Sequence, residues 1–575
     1  MQKQIVRRKP AISEPELSGF HSVLQRVYTS RGVSNKAQVT YQLSALLKPD
    51  LKGLQEAVAI LVEAIQNQQK ILIVGDFDAD GATSTALAVR CLRGFGHQQV
   101  DFLVPNRFEY GYGLSPEIVE AALPLQPDII ITVDNGISSI EGVAFAKKNG
   151  IRVVVTDHHL PGHHLPNADA IVNPNQPGCE FISKAAAGVG VIFYVMSALR
   201  GELRQRDWFT KQRPEPNLAT QLDLLALGTV ADVVPLDHNN RLLVAQGLQR
   251  IRAGHVCPGI KALLTVAGRS PHRVQAADMG FAVGPRLNAA GRLDDMSIGI
   301  RCLLADTDRE AMAIAQELDS LNRERRAIES SMQVEALREL DNMQGELEGE
   351  LPMGMCIYRG DWHQGVIGIL ASRIKDKFHR PVIVFAESND DELKGSGRSV
   401  KGIHLRDVLD ELATTNDGLL NKFGGHAMAA GLTLKKQDLN RFKMAFNKVV
   451  SAHAGTHGLE PIIETDGELT ASDLSMELAE LIEHGGPWGQ DFPEPCFDGE
   501  FVLRSQKIVG EKHLKMILSP MNNPQIEIDA IAFNVDTATW PNSECEQVRV
   551  VYKLSINEFR GNKTLQLMVD YFEKL

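Results

Sequence analysis

Three short runs of β-branched residues, each ending in acid, constrain this chain more than any other feature. Ile71–Val74 (ILIV) leads into Gly75-Asp76-Phe77-Asp78-Ala79-Asp80-Gly81. Ile129–Val133 (IIITV) leads into Asp134-Asn135-Gly136, and Ile151–Thr156 (IRVVVT) leads into Asp157-His158-His159. Continuous apolar runs of this length predict strands buried on both faces, and therefore a parallel sheet covered by helices. Open parallel sheets bind ligands beyond the carboxyl ends of their strands. The three runs therefore predict one edge that gathers carboxylates and imidazoles. A fourth acid, Asp232 in GTVADVVPL, follows the apolar run Leu222–Val230.

The rest of the chain divides by texture. Residues 1–50 read as an N-terminal extension without strong pattern. In the helix expected over Leu51–Gln66, Leu54, Val58, Leu61 and Ile65 form one apolar face. The αβ texture adds strands at Phe102–Val104 and Ala170–Val172 and runs to about residue 305. Dense charge with Met312, Ala315, Leu318, Leu321 and Ala327 at helical spacing predicts a long connecting helix over 306–350. A smaller αβ unit is expected over 351–455, with strands at Gly354–Tyr358 and Pro381–Phe385 and a helix burying Leu439, Phe442, Phe446 and Val449. Five strand-like runs over 462–575 predict a small β-barrel of the OB type. The fold class expected is α/β: two αβ domains joined by a long helix, followed by the barrel.

Composition excludes several classes. Apolar residues make up 43% and charged residues 23%, which is ordinary for a globular protein. The longest uncharged apolar stretch, Ala185–Leu199, is 15 residues, too short to span a bilayer. The first ten residues lack the apolar segment of a secretory signal. Seven scattered cysteines without a CxxC pair suggest neither a disulfide framework nor a structural zinc site, and a cytoplasmic location is expected. The net charge of −12 argues weakly against nucleic acid, but binding uses a local surface, and 435–449 carries five cations against Asp438.

Clustered carboxylates repel unless something neutralises them. Asp oxygens and His nitrogens without thiols suit Mg²⁺ or Mn²⁺. Several such groups suffice for two ions, which about 3.5–4 Å apart can activate water and stabilise in-line displacement at phosphorus. Taken singly, each motif has a plainer explanation. Asp-x-Asp-x-Asp-Gly opens like an EF-hand loop, but its twelfth position is Leu87, where a Glu is needed. The same stretch resembles the Asp-x-Asp of aspartyl-phosphate phosphatases, which would leave Asp134 and the His pair unexplained. Asp-Asn-Gly alone is a common turn. The conjunction of all three carries the expectation.

VGDFDADG, TVDNG, TDHHLPG and GTVADVVPL resemble the four motifs of the DHH phosphoesterases. KGSGRSVKGIH at 394–404 and FGGHAMAAG at 423–431 resemble their DHHA1 domain. The domain order is similar to that of the family's single-strand-specific 5′→3′ DNA exonucleases. The resemblance implies that Asp78 and Asp134 bind one ion, and that Asp80, Asp134, His158 and Asp232 bind the other. It places His159 near the scissile phosphate and Asp76 beside the site as a supporting acid. Many relatives carry a His four residues before the first ligating Asp, where this chain has Val74, so the first ion has one protein ligand fewer.

Arg107, Arg286, Ser396, Arg398, Gly424, Gly425 and His426 are the phosphate contacts the resemblance implies, holding the 5′ end so that mononucleotides are released. Guanidinium forks and glycine-exposed backbone N–H groups suit phosphate. Tyr110 and Tyr112 could stack on bases, and His363 either meets the substrate or caps a helix. The implied setting is recombination and mismatch repair, alongside a helicase and a single-strand-binding protein, as a monomer and without a membrane. Two alternatives stand beside it: a phosphoesterase of small nucleotides or polyphosphate, and a non-catalytic scaffold.

Overall fold

The computed structural model describes residues 3–105, 113–346, 351–389, 391–420, 422–454, 459–559 and 561–575. The chain forms two compact units. One comprises Ile5–Asp319 with Glu464–Leu575, and the other is built on Ser320–Ile463.

The first unit begins with helix α1 (Ser22–Ser30) and helix α2 (Leu54–Gln66). The alternating segments β1 (Ile71–Gly75), α3 (Ala79–Gly94), β2 (Val100–Leu103), α4 (Pro116–Ala122), β3 (Ile129–Val133), α5 (Ile140–Lys148), β4 (Arg152–Thr156) and β5 (Ala170–Val172) follow. The strands form one parallel sheet of order β2-β1-β3-β4-β5. Strand order reverses at β1, whose neighbours are β2 on one side and β3 on the other. This is the topological switch point at which parallel sheets bind ligands.

Both faces of the sheet are dry, as the unbroken apolar runs require. Leu72, Val74, Ile130, Val153 and Val155 pack on Leu114, Ile118, Val119, Val143 and Ala146 from α4, α5 and the segment before α4. The opposite face buries Ile71, Ile73, Ile129, Ile131 and Val154 beneath α3 and helix α6 (Gly188–Gln205). Each such side chain contributes about 1.5–3 kcal/mol on burial. Leu222–Ala231, the run preceding Asp232, is helix α7, buried along nearly its whole length.

Residues 1–50 show more structure than their sequence predicts. In α1, Tyr28 stacks against Trp488 and Phe492, and its hydroxyl donates to the Gly485 carbonyl at 2.9 Å. Arg31 grips the buried Asp466 with both guanidinium nitrogens, at 2.7 and 2.9 Å. The segment lacked a readable pattern because its partners lie more than 400 positions away along the chain.

The connecting helix spans Asp308–Glu346. In the second unit, β6 (Met355–Tyr358), β7 (Val382–Glu387), β8 (Glu392–Arg398), β9 (Lys422–Gly425) and β10 (Ala429–Lys435) form a sheet of order β9-β10-β8-β7-β6. Only β6 and β7 run parallel. The sequence predicted two of these strands. The other three contain the glycine-rich segments, whose composition disfavours strand. Antiparallel pairing overrides that propensity, and Phe423-Gly424-Gly425 is part of a strand entering a hairpin.

The last segment is a closed five-stranded barrel, with strands β11 (Phe497–Val509), β12 (His513–Pro520), β13 (Ile528–Ala532), β14 (Gln547–Phe559) and β15 (Asn562–Lys574). Each falls on one of the five predicted runs. Closure leaves no open sheet edge, and Phe501 meets Tyr552 edge-on at 5.6 Å in its interior. Among the described residues, no helix is long and apolar enough to cross a membrane.

Candidate active site

The carboxyl ends of β1, β3 and β4 bring five acids and two imidazoles together with Asp232 at the end of α7. The possible ligand atoms of Asp76, Asp78 and Asp134 lie within 4.8 Å of one another. The same holds for Asp80, His158 and Asp232, and for Asp134, His158 and His159. Asp134 and His158 each belong to two of the three groups.

Local structure sets each side chain. Asp78 caps α3, its Oδ1 accepting the backbone N–H of Asp80 at 2.9 Å and of Gly81 at 3.0 Å. Asp80 is fully buried in the first turn of α3. Its two oxygens accept the N–H groups of Gly188 (2.6 Å) and Val189 (2.9 Å) at the start of α6, where the helix dipole favours a carboxylate. Asp134 leaves β3 at φ +62°, a left-handed conformation that Asp tolerates better than most residues. Asp232 closes α7 at the negative end of its dipole, where an anion is disfavoured unless a cation compensates. The fourth acid therefore comes from a helix, unlike the other three clusters.

Burial and mutual repulsion shift the protonation of this cluster. Asp80 is pushed up to about 7 by burial and then by the charge of Asp232, with His158 opposing. Asp232 is also pushed up to about 7, by burial and then by Asp78. Asp134 is raised by burial, Asp80 and Asp78. Burial, reinforced by His159, holds His158 below its usual range and hence neutral. His158 Nε2 lies 3.1 Å from Asp134 Oδ1 and 3.5 Å from Asp232 Oδ2, yet it is buried and forms no hydrogen bond. A neutral imidazole nitrogen aimed between two carboxylates, amid acids that resist ionisation, fits a site for divalent cations.

His159 differs from its neighbour. Burial lowers its pKa, but the hydrogen bond and charge of Asp157 outweigh burial and bring it up to about 9. It is therefore an imidazolium at neutral pH.

Several functional positions escaped the sequence reading. Gly188 and Gly228 make room for the acids: a Cβ on residue 188 would lie 2.7 Å from Asp134 Oδ1, and one on residue 228 would lie 2.8 Å from Asp80 Oδ1. Asn288 of helix α8 (Gly284–Leu293) accepts the Ala79 N–H at 2.7 Å and fixes the loop after β1. Asn173 and Asn175 bind the carbonyls of His159 (2.9 Å) and His158 (2.6 Å). The Asn-Pro-Asn spacing was the available signal. Val74 is packed in the apolar layer under α4 and supplies no ligand.

The expected phosphate contacts fall into three sets. Ser396 and Arg398 sit on β8, Gly424 and Gly425 end β9, and His426 follows in the hairpin turn. Through β10, Gly431 pairs with both Ser396 and Gly424, which aligns these residues across the sheet. Arg398 is held by Ser396 Oγ at 3.2 Å and the Gly397 carbonyl at 2.8 Å. Its pKa is lowered by burial, and among the described residues no carboxylate forms an ion pair with it. Gly368 lies over the pair, since a Cβ there would come 2.8 Å from Ser396 Oγ and 3.0 Å from Arg398 Nη2. Arg286 is instead engaged with Asp319, its Nε donating at 2.9 Å. His363 accepts the Gly365 N–H at 3.1 Å and sits at the turn before the next helix. Lys436, one of the five cations of 435–449, pairs with Glu387. Arg107, Tyr110 and Tyr112 lie outside the described residues.

The parallel sheet, its acidic edge and the glycine-rich second sheet define a DHH-type phosphoesterase. The DHH family, N-terminal domain, matches residues 70–229, the DHHA1 domain matches 353–452, and the RecJ OB domain matches 465–571. A single-stranded-DNA-specific exonuclease RecJ of Salmonella typhimurium is 52% identical, covering 99% of each chain. A crystal structure of RecJ with Mn²⁺ from Thermus thermophilus superposes with a TM-score of 0.78 at 29% identity, over 100% of this chain and 79% of that one. Its counterpart with Mg²⁺ gives 0.73 at 27%, over 100% and 78%. The chain belongs to the RecJ family.

Proposed function

We propose that this protein is a metal-dependent exonuclease that degrades single-stranded DNA from its 5′ end to 5′-mononucleotides. The observation that carries the hydrolytic reading is the buried cluster in which His158 Nε2 lies between Asp134 and Asp232. The cluster fits Mg²⁺ or Mn²⁺, the ions in the similar RecJ structures.

Asp78 and Asp134, with Asp76 beside them, would hold one ion, and Asp80, Asp134, His158 and Asp232 the other. Bound there, the ions supply Lewis acidity to a phosphodiester and lower the pKa of water. The chain's own groups do the remaining work. The N–H groups at the start of α6 hold Asp80 in place. The His159 imidazolium, fixed by Asp157, is suited to stabilise the charge that develops on a non-bridging phosphate oxygen. The 3′-oxygen of the terminal nucleotide leaves. Ser396, Arg398, Gly424, Gly425 and His426 would bind the terminal phosphate, and the half-buried guanidinium of Arg398, unpaired with any carboxylate among the described residues, supports this assignment. Arg286 would bind phosphate only by exchanging Asp319 for it, and Arg107 is a proposed phosphate contact from its sequence context.

Single-strand specificity requires unwound DNA. The reading therefore includes a helicase and a single-strand-binding protein as partners in recombination and mismatch repair, with the enzyme acting as a monomer in the bacterial cytoplasm. Seven free, buried cysteines suit a reducing compartment. Within this reading, residues 51–305 perform the chemistry, 306–350 connect, 351–455 anchor the 5′ end, and the barrel at 462–575 extends the binding surface.

The test uses one long single strand labelled at either end, with Mg²⁺ or Mn²⁺, beside EDTA and Asp134→Ala controls. Immediate release of labelled mononucleotide from the 5′ end alone, abolished by both controls, is expected. Intact strands with both ions would overturn the reading in favour of a small-substrate phosphoesterase, or of a scaffold if no metal binds either.

A further inference from the structure

A cavity of about 640 Å³ opens at the end of α7, entirely within the unit that holds the acidic cluster. Its walls come from the end of α7 with Val233 and Val234, from residues 275–281, from helix α9 (Met476–Gly485), and from barrel strand β14. The volume lies within the range of about 300–1,000 Å³ typical of ligand sites.

Two residues of this cavity are unusual. Phe281 is 81% exposed and sits in a single π-helical turn, Met279–Val283. Such turns are rare and concentrate at functional sites. Val233 follows Asp232 directly, is 62% exposed, and has φ +64°. That conformation is strained for a β-branched residue. Folding thus maintains two apolar side chains in solvent, both facing one cavity and one of them adjacent to an expected metal ligand.

Charge identifies the occupant. The cations of the wall are already matched: Arg269 with Asp278 at 3.1 Å, Lys553 with Glu494 at 2.9 Å, and Arg273 with Glu558. A wall without excess positive charge does not attract a phosphate backbone. It does suit the flat apolar face of a nucleobase, for which stacking on an aromatic ring is independent of sequence. Val233, in the wall and directly after Asp232 in the chain, makes the strand undergoing hydrolysis the molecule best placed to fill it.

We propose that Phe281, with Val233, forms a base-stacking platform that holds a nucleobase of the single strand next to the metal cluster, and so sets the strand in register for cleavage. This inference rests on the exonuclease reading above. Such a platform reads bases without discriminating among them, and the phosphates remain with the other groups already described.

The experiment uses the full-length enzyme and a single strand in which one abasic residue is moved along the chain, one nucleotide at a time. Wild-type enzyme is expected to pause, with kcat/KM reduced roughly tenfold, about 1.4 kcal/mol, when the gap occupies one or two particular positions relative to the scissile bond. Phe281→Ala is expected to show a comparable loss on the unmodified strand and no position dependence, and Phe281→Tyr to restore both. Because Phe281 is exposed, circular dichroism and thermal melting of the variant should match wild type. Equal rates for Phe281→Ala and wild type on the unmodified strand, or an abasic pause that persists in the variant, overturn the platform alone. A wild-type enzyme that leaves the unmodified strand intact overturns the exonuclease reading and the platform with it.

Discussion

Asp157 Oδ1 accepts the Nδ1–H of His159 at 2.8 Å, and the same oxygen accepts the backbone N–H groups of His158 (2.7 Å) and His159 (3.1 Å). The other oxygen takes the Ile137 N–H at 2.9 Å. Burial would raise the pKa of Asp157, but these contacts outweigh it and hold the carboxyl below the usual range. One carboxylate thus orients one imidazole and keeps it charged, while His158 beside it stays neutral as a metal ligand should.

Asp157→Asn removes the charge but keeps the shape. We expect kcat to fall roughly 10²-fold with KM changed less than threefold, within the range typical of a positioned proton or charge donor. His159 is charged below about 9, so activity that depends on the imidazolium is lost as pH rises through that value. In the variant this alkaline limb should move down towards the ordinary histidine range. A pH–rate profile checks it, and an unmoved limb would reduce Asp157 to a purely structural role.

Metal binding should depend steeply on pH. Asp80 and Asp232 titrate near 7 in the metal-free fold, above the ordinary carboxylate range, so the folded state binds protons that the unfolded chain would release. Stability of the metal-free protein therefore falls as pH rises from about 4 to 7. Mn²⁺ must displace those protons, and its affinity should fall roughly tenfold per pH unit below 7 for each proton displaced. Thermal melts should show a larger Mn²⁺-induced rise in Tm at pH 8 than at pH 5.5. Equal shifts at both would contradict the assignment.

The catalytic sheet was readable because its strands are continuous apolar runs, whose period needs no tertiary information, and each acid is adjacent to its run. The barrel was readable from five strand-like runs, Phe497–Leu503 to Leu565–Phe572, without long helices between them. The glycine-rich strands β8 to β10 were not, because their pairing depends on residues in neighbouring strands rather than on their own propensity. Gly188, Gly228 and Asn288 were hidden because each acts on a group about 55 to 210 positions away, a side chain for the two glycines and the Ala79 N–H for Asn288. The pairing of Arg286 with Asp319 shows the converse: the motif GPRLNAAGR drew attention to a cation whose partner is supplied by a different helix.

Gly188→Ala tests how tightly the site is shaped. The added methyl would approach Asp134 Oδ1 to within 2.7 Å, and overpacking of this kind costs about 1–3 kcal/mol. We expect Mn²⁺ affinity, measured by calorimetry, to drop at least tenfold while the far-UV spectrum is retained. Unchanged affinity would mean that Asp134 can shift without disturbing the ions.

Arg398→Ala separates anchoring from chemistry. If the half-buried guanidinium receives the terminal phosphate, wild-type enzyme prefers 5′-phosphorylated over 5′-hydroxyl strands, and the variant loses that preference through a KM increase of roughly 10²-fold, in keeping with a partly desolvated charge-assisted contact. Because burial lowers the pKa of this group, Arg398→Lys should lose its proton more readily and rescue poorly. A variant that still discriminates between the two ends would remove Arg398 from the anchor.

Arg31→Ala tests the N-terminal segment. Asp466 is fully buried and receives both Arg31 nitrogens and the Cys496 N–H, with Arg8 at 3.4 Å. Removing one partner of a buried pair leaves an uncompensated charge and typically costs about 3–5 kcal/mol. Burial would raise the Asp466 pKa, but Arg31 outweighs it and the net shift is downward, so this contribution is present at neutral pH and lost as pH falls through the folded value. Urea unfolding at pH 7 should show the destabilisation, and the difference between wild type and variant should shrink in strong acid. Arg31 makes none of the contacts described for the acidic cluster, so kcat on single strands well below the variant's Tm should stay within twofold of wild type. A loss of activity without a loss of stability would assign the N-terminal segment a part in the reaction.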